Sequence, residues 1–153
     1  MFRFRPLTQA DAEAIAGWHY PEPYAFYDWV ADQDDLAELL DPAKRGDVYA
    51  AVDDASGELV GFFSFKPKGP GAVEIGLGLR PDHTGRGLGL EFVEGGLEHA
   101  RVRLEPEEFT LAVAAFNTRA ITVYERAGFA ETRRYQHHTN GADWEFVEMR
   151  RPA

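Results

Sequence analysis

The sequence predicts one domain of the α/β or α+β class, with a mixed central β-sheet flanked by helices. The chain has 153 residues, a length that fits a single domain with a sizeable core. Its apolar fraction of 44% and its aromatic fraction of 13% are typical of folded globular proteins. Strand-like and helix-like patterns also alternate from end to end, so we assign residues 1–153 to one domain.

The first forty residues predict a strand and two helices joined by an aromatic connection. Residues 2–5 form a short predicted strand. The pattern at 8–11 resembles a capping box and predicts a helix to about residue 18. An aromatic, proline-containing stretch follows at 18–28, and a second helix is predicted at 30–40.

The next segment predicts three antiparallel strands. Strand patterns at 47–53 and 58–66 are joined by a hairpin turn at 54–57. A Gly-Pro-Gly turn then leads into a third hydrophobic strand at 72–79.

The second half predicts a strand–helix–strand–helix–strand unit, which makes the sheet mixed. After a loop at 80–86, the predicted elements are a helix at 88–104, a strand at 109–115, a helix at 117–127 and strands at 129–137 and 143–150. The first of these helices contains Gly95 and Gly96, and each glycine costs about 1 kcal/mol relative to alanine. We expect close packing against the sheet to explain them.

Composition and charge exclude several classes of function. The absence of cysteine excludes disulfides, thiolate metal sites and a cysteine nucleophile. A net charge of −10 argues against a nucleic-acid partner, because phosphate contacts need clustered Lys and Arg. The same charge is compatible with a cationic substrate, or with solubility alone. With no secretory signal and no apolar run near the ~18 residues of a membrane span, we expect a cytoplasmic protein without a membrane partner. We expect no metal site either, including at the neighbouring histidines 137 and 138.

The clearest chemical signal is the strand–loop–helix segment at 77–90, which contains Gly85, Gly87 and Gly89. A strand that runs into a glycine-rich turn and a helix presents unpaired main-chain N–H groups at the positive helix end, which suits a diphosphate. The alternative is that the glycines only make a tight turn. A P-loop is excluded because no Lys followed by Ser or Thr comes after the last glycine, and the antiparallel strands before the turn argue against a Rossmann unit.

A second motif lies at 117–129, where Asn117 is followed seven residues later by Tyr124 and then by Ala-Gly-Phe. Together with the glycine turn, it resembles the two cofactor motifs of the GNAT superfamily of N-acetyltransferases, and the order of elements is similar along the whole chain. The resemblance implies acetyl-CoA as co-substrate and direct transfer of acetyl to a primary amine in a ternary complex. A non-catalytic acyl-CoA-binding module is the alternative, and a nucleotide-binding enzyme is a third.

The resemblance also implies which residues bind acetyl-CoA. In the family, the strand before the loop separates from the next strand, and pantetheine inserts in the gap. A main-chain N–H near Leu79 then polarises the thioester carbonyl, residues 85–90 hold the pyrophosphate, and Asn117 binds the cofactor while also suiting an N-cap. The predicted set is Leu77, Gly78, Leu79, Thr84, Gly85, Arg86, Gly87, Leu88, Gly89, Leu90 and Asn117. Thr84 stands where many members carry Gln or Arg, which puts a side-chain contact there in doubt.

Two residues are predicted to carry the catalysis. Tyr124 matches the general acid that protonates the departing thiolate, and its structural alternative is a core aromatic. Ala112 replaces the Glu base of members that acetylate ribosomal protein N-termini, which argues against copying their mechanism. Glu74 is the first choice of general base, because it lies close to where histone-type members of the superfamily carry a catalytic Glu. Strand alternation places it on one face with Gly76 and Gly78. A salt-bridged position for Glu74, with water as the base, is an equal alternative.

The acceptor site is expected in the aromatic stretch. Aromatic and acidic side chains of this stretch are predicted to bind an amine through cation–π and charge contacts, or else to plug the end of the sheet. The aromatic residues are Trp18, Tyr20, Tyr24, Phe26 and Tyr27, and the acidic residues are Glu22 and Asp28. The acceptor is a small-molecule or peptide amine that the sequence does not identify. The hydrophobic C-terminal strands allow a homodimer.

Overall fold

The computed structural model describes residues 1–153 and contains one mixed seven-stranded sheet with helices on both faces. The strands are β1 (Arg3–Pro6), β2 (Tyr49–Asp53), β3 (Leu59–Pro67), β4 (Ala72–Leu79), β5 (Glu108–Ala114), β6 (Ala130–Thr139) and β7 (Ala142–Pro152). The helices are α1 (Gln9–Ala16), α2 (Gln33–Leu40), α3 (Pro42–Arg45), α4 (Gly89–Leu104) and α5 (Thr118–Arg126). The predicted fold class is confirmed.

The sheet order is β1-β2-β3-β4-β5-β7-β6, and only β4 and β5 run parallel. The hairpins β2–β3, β3–β4 and β6–β7 are antiparallel, as predicted. The last strand, β7, lies between β5 and β6 rather than at the edge of the sheet. The β4–β5 pair is therefore the one place where neighbouring strands run in the same direction.

Most predicted elements occur with small differences at their ends. The predicted helix to residue 18 ends at Ala16, followed by Gly17 as C-cap. The predicted helix at 30–40 begins only after Asp32, because the Asp32 carboxylate accepts hydrogen bonds from the N–H groups of Asp34 and Asp35. Residues 29–31 form a separate 3-10 turn. Strand β4 has the predicted bounds.

Two hydrophobic clusters lie on opposite faces of the sheet. On one face, Phe63 and Ile75 pack with Phe92 of α4 in a cluster of 17 buried residues. On the other face, Phe62 packs with Ile15 of α1 and Leu39 of α2 in a smaller cluster of six. Since neighbouring strand residues point to opposite faces, this alternation places helices α1 and α2 on one side and α4 on the other.

Gly96 sets how closely α4 approaches the sheet. A Cβ atom built on Gly96 would overlap the Phe63 ring, whereas one on Gly95 would lie 3.4 Å from Phe4, in ordinary contact. The expected close packing is therefore confirmed at Gly96. No helix in the structure combines the length and apolar character needed to cross a membrane.

Candidate functional site

Strands β4 and β5 separate to form a wedge in the middle of the sheet. They pair at three positions, the last being Glu74 with Thr110. Beyond it, β5 stays paired with β7 along all seven of its residues, and β4 stays paired with β3 as far as Leu79. The strand separation that the resemblance implied is therefore present, and it opens from Glu74 toward the glycine loop.

Alternate main-chain groups of β4 face this wedge. The N–H of Arg80 donates to the carbonyl of Val60, at 2.7 Å, on the β3 side. Because successive residues of a strand direct their main-chain groups to opposite neighbours, those of Leu79 and Leu77 face the wedge. The carbonyl of Leu79 accepts a hydrogen bond from the Tyr20 hydroxyl at 2.6 Å. The N–H groups of Leu77 and Leu79 are thus directed toward whatever enters the wedge.

The glycine loop lies at the wide end of the wedge. Gly85 and Gly87 have φ angles of 73° and 76°, and a Cβ on either residue would have no atom within 4 Å. No main-chain N–H from residue 85 to residue 91 donates a hydrogen bond within the protein, and α4 begins without a side-chain cap. The Thr84 hydroxyl donates to the Pro81 carbonyl at 2.7 Å. The main chain, with open space beside it, therefore dominates this loop.

Asn117 connects the start of α5 to the aromatic stretch. Its side-chain oxygen accepts from the N–H of Ala120 at 3.1 Å and caps the helix. Its amide nitrogen donates to the hydroxyl of Tyr27 at 3.2 Å. Both partners are protein groups, and Asn117 is 9% exposed at the edge of the cleft.

Tyr124 lies on α5 and lines the same cleft. Its ring meets Phe129 edge-on at 6.2 Å, and its hydroxyl makes no hydrogen bond within the protein. Burial, together with the nearby Tyr27, raises the pKa of Tyr124 above its usual value. The phenol is therefore held in its protonated form, which is the form a proton donor needs.

The aromatic stretch lines the same cleft as the glycine loop. The guanidinium of Arg119 lies 4.2 Å above the ring of Tyr24. Phe26 belongs to an aromatic cluster with Phe116 and Trp144. The carboxylate of Asp28 accepts from the N–H of Tyr20 at 2.8 Å and contacts the His19 ring at 3.0 Å, so it holds this stretch together.

The turn between β6 and β7 closes over the aromatic stretch. The hydroxyl of Thr139 donates to Asp32 at 2.7 Å, and the Asn140 amide donates to the Phe26 carbonyl at 2.8 Å. These two bonds join segments more than 100 residues apart. We call this contact the roof of the cleft.

The wedge, the glycine loop and the aromatic stretch share one cleft of about 570 Å³. Most of the predicted site residues line it, namely Leu77, Gly78, Leu79, Thr84, Gly85, Gly87, Leu88, Gly89, Asn117, Tyr124, Tyr24, Phe26, Tyr27 and Asp28. Arg86, Leu90 and Glu74 do not. Glu74 shares a face of β4 with Gly76, as predicted, because the two residues pair with Lys66 and Ser64 on β3. Its carboxylate is about one-third exposed and lies 3.8 Å from the Lys68 ammonium.

Several residues that line the cleft were not singled out from the sequence. They form a polar group on the α2 side: Asp35, Glu38, Tyr49, Ser64 and Lys66. Strand alternation was the available signal, because Ser64 and Gly76 share a face once the register is known.

Comparisons with known proteins agree with this architecture. A family model described as the acetyltransferase (GNAT) domain matches residues 2–130. The chain is 37% identical over 127 residues to a mycothiol acetyltransferase of Mycobacterium sp. (strain JLS), covering 80% of this chain and 41% of that protein. It is 35% identical over 137 residues to the mycothiol acetyltransferase of Propionibacterium freudenreichii subsp. shermanii, covering 84% of this chain and 41% of the relative. The chain thus spans about two fifths of the length of these curated relatives.

Among solved structures, spermidine N-acetyltransferase from Vibrio cholerae in complex with CoA and spermine superposes with a TM-score of 0.76. The superposition covers 99% of this chain and 95% of that chain at 22% identity. At this identity the likeness concerns the fold.

Proposed function

The chain belongs to the GNAT family of acetyltransferases, as the sequence resemblance predicted, and we propose that it transfers the acetyl group of acetyl-CoA to a primary amine. The observation that carries the proposal is the wedge between β4 and β5 with the glycine loop at its wide end. An extended pantetheine arm fits the wedge, and a diphosphate fits the loop.

The glycine loop supplies what the pyrophosphate of CoA needs. Its unpaired N–H groups and the positive end of α4 attract phosphate oxygens without basic side chains. The open space beside Gly85 and Gly87 lets phosphate approach the main chain. Thr84, Arg86, Leu88, Gly89 and Leu90 complete the proposed binding segment.

The free edge of β4 supplies hydrogen bonds to the pantetheine arm. Leu77, Gly78 and Leu79 lie beside it, and the N–H near Leu79 donates to the thioester oxygen. A donor fixed in this position stabilises the negative charge that develops on this oxygen when an amine attacks.

Bound acetyl-CoA supplies a thioester whose carbonyl carbon forms a bond to the amine nitrogen while the bond to sulfur breaks. Tyr124 donates its hydroxyl proton to the leaving thiolate, and its raised pKa keeps that proton in place until then. Asn117 keeps the start of α5 fixed through its cap and its bond to Tyr27. Both assignments rest on their positions in the cleft.

The attacking amine must be neutral, and its proton needs an acceptor. Glu74 stays our predicted base, but its carboxylate lies outside the lining of the cleft beside Lys68. It would therefore receive the proton through water. Glu74→Gln tests this assignment. The variant should be slower than the wild type if Glu74 accepts the proton, and equally fast if bulk water does.

The acceptor enters from the aromatic stretch. Tyr24, Phe26, Tyr27 and Asp28 form that side of the cleft and are proposed to bind the amine. Similar proteins are named mycothiol acetyltransferase and spermidine N-acetyltransferase, so spermidine belongs in the test panel beside other primary amines.

Two measurements test the proposal. Calorimetric titration with CoA should give one site per chain, and thiol release from acetyl-CoA should then depend on an added primary amine. Binding without release over the whole panel would make the protein an acyl-CoA-binding module. Absence of CoA binding would refute the proposal.

The homodimer and the cytoplasmic location remain predictions. Strand β7 is paired on both sides within the chain, so of the two C-terminal strands only β6 has a free edge for a second subunit. Sedimentation of the purified protein measures the oligomeric state directly.

A further inference from the structure

One wall of the cleft carries a row of polar positions across three strands. Tyr49 on β2 pairs with Ser64 on β3, and Ser64 pairs with Gly76 on β4. All three residues line the cleft on the face that carries α2. This polar row lies next to the point where β4 leaves β5.

Two hydroxyl groups in this row have no hydrogen-bond partner in the protein. Tyr49 and Ser64 are each 8% exposed, and neither hydroxyl forms a hydrogen bond. A Cβ on Gly76 would lie 2.5 Å from the Ser64 Oγ, so this hydroxyl points into the space above Gly76. No fully buried side-chain polar atom of the protein lacks a hydrogen-bond partner, so both hydroxyl oxygens open onto the cleft. Each can therefore accept a hydrogen bond from a polar ligand.

Helix α2 brings carboxylates over the polar row. Asp32 is fully engaged, since one oxygen caps α2 and the other accepts from Thr139. Glu38 forms an ion pair with Lys66 at 2.8 Å. Asp35 lines the cleft, and its carboxylate forms neither a hydrogen bond nor an ion pair within the protein. It is thus the carboxylate available to a ligand.

The negative charge around Asp35 is only partly compensated, because Lys66 faces three carboxylates. Partial burial and the neighbouring Asp32 and Glu38 raise the pKa of Asp35, while Lys66 lowers it. Burial raises the pKa of Tyr49, and the negative charges of Glu38 and Asp35 raise this pKa further. Both carboxylates therefore lie near the Tyr49 ring. A cation bound here would relieve the repulsion between these groups.

We infer that the acceptor is a diamine, whose second, protonated nitrogen is held by the carboxylate of Asp35 and the hydroxyls of Tyr49 and Ser64. This inference rests on the proposed function and names its substrate class. An ammonium group has three N–H donors, and each of these three side chains can accept one of them. The rings of Trp29 and Phe62 line the same side of the cleft and suit the methylene chain between the nitrogens.

The test compares two amines that differ at one end. In 1,4-diaminobutane the second terminus is an ammonium group, and in n-pentylamine it is a methyl group. With acetyl-CoA at saturation, we expect kcat/KM for the diamine to exceed that for the monoamine at least tenfold. Asp35→Asn should bring the ratio close to one, and Tyr49→Phe should lower it several-fold.

Asp34→Asn is the matched control, because Asp34 lies on the same helix but outside the lining of the cleft. It removes the same charge from the chain and should keep the wild-type ratio. A wild-type ratio near one, or a ratio unchanged in Asp35→Asn, would overturn the inference. An equal loss in Asp34→Asn would assign the effect to net charge and overturn it as well.

A binding measurement separates this inference from the proposed function. Calorimetric titration of the CoA-bound protein with 1,4-diaminobutane should show binding that Asp35→Asn weakens at least tenfold. That result without turnover would refute the transferase and leave the diamine site standing. Turnover of n-pentylamine without diamine binding would support the transferase and refute the diamine site.

Discussion

Gly87→Val tests the proposed phosphate site most directly. Gly87 has a φ of 76°, a conformation that a β-branched residue rarely adopts. A Cβ at this position would contact no protein atom within 4 Å, so the added side chain occupies only the space proposed for phosphate. The variant should therefore lose CoA binding while the rest of the fold is kept.

The magnitude follows from the backbone. A left-handed conformation costs a non-glycine residue about 1–2 kcal/mol. If the free loop relaxes to avoid this cost, CoA binding must restore it, which alone weakens affinity by about 5–30-fold. The valine methyl groups then block close approach of phosphate, so we expect a total loss of about 30-fold or more.

Gly57→Val supplies the matched control. Gly57 has a φ of 87° and equally open surroundings, but it lies in the turn between β2 and β3. In a domain of this size the strain at Gly57→Val should lower Tm by about 2–8 °C. Gly87→Val should lower Tm by no more than this, because a relaxed loop avoids the strain, and only Gly87→Val should change the calorimetric Kd for CoA. A wild-type Kd in Gly87→Val, or equal loss in both variants, would contradict the placement of the pyrophosphate.

Three further substitutions test other parts of the site and fold. Tyr124→Phe should lower kcat about 100-fold or more without changing the Kd for CoA, and unchanged turnover would remove Tyr124 from the mechanism. Because the raised pKa of Tyr124 keeps its phenol protonated, wild-type activity should show no alkaline fall from this group below about pH 10. Gly96→Ala should destabilise the fold by about 1–3 kcal/mol in urea unfolding, because its Cβ would overlap Phe63, and a neutral result would show that α4 can move away. Asn117→Asp keeps an oxygen to cap α5 but loses the amide donor that bonds Tyr27. Because Asn117 is a predicted cofactor-binding residue, this variant should bind CoA more weakly while its free energy of unfolding changes by less than about 1 kcal/mol. Asn117→Ala should lower the free energy of unfolding by about 1 kcal/mol through loss of the cap.

Local signals predicted much of the fold. Strand β4 has the predicted bounds because turn residues limit it on both sides. The start of α2 was missed because Asp32, its cap, stands among several acidic residues that all suit a helix start. The insertion of β7 between β5 and β6 was also not predicted, since a strand pattern does not state its neighbours.

In the site, too, local features could be predicted from the sequence and long-range contacts could not. The glycine loop is local, so its residues could be identified from their spacing. The hydrogen bond between Asn117 and Tyr27 joins residues 90 positions apart, and the roof joins residues still farther apart. The role of Asp35 depends on which carboxylates on α2 are already engaged, which only the folded chain determines.

The unpaired edge of β4 has a consequence for solubility. A strand edge with free N–H and C=O groups is normally a template for aggregation, and proteins protect such edges. Here the free edge lies inside the sheet, between two strands that are each paired on their other side. A second protein chain would have to enter between strands of one sheet, and the Tyr20 hydroxyl already covers the carbonyl of Leu79. The unpaired edge of β4 is thus accessible to a narrow ligand that carries amide groups, but not to a strand of another protein.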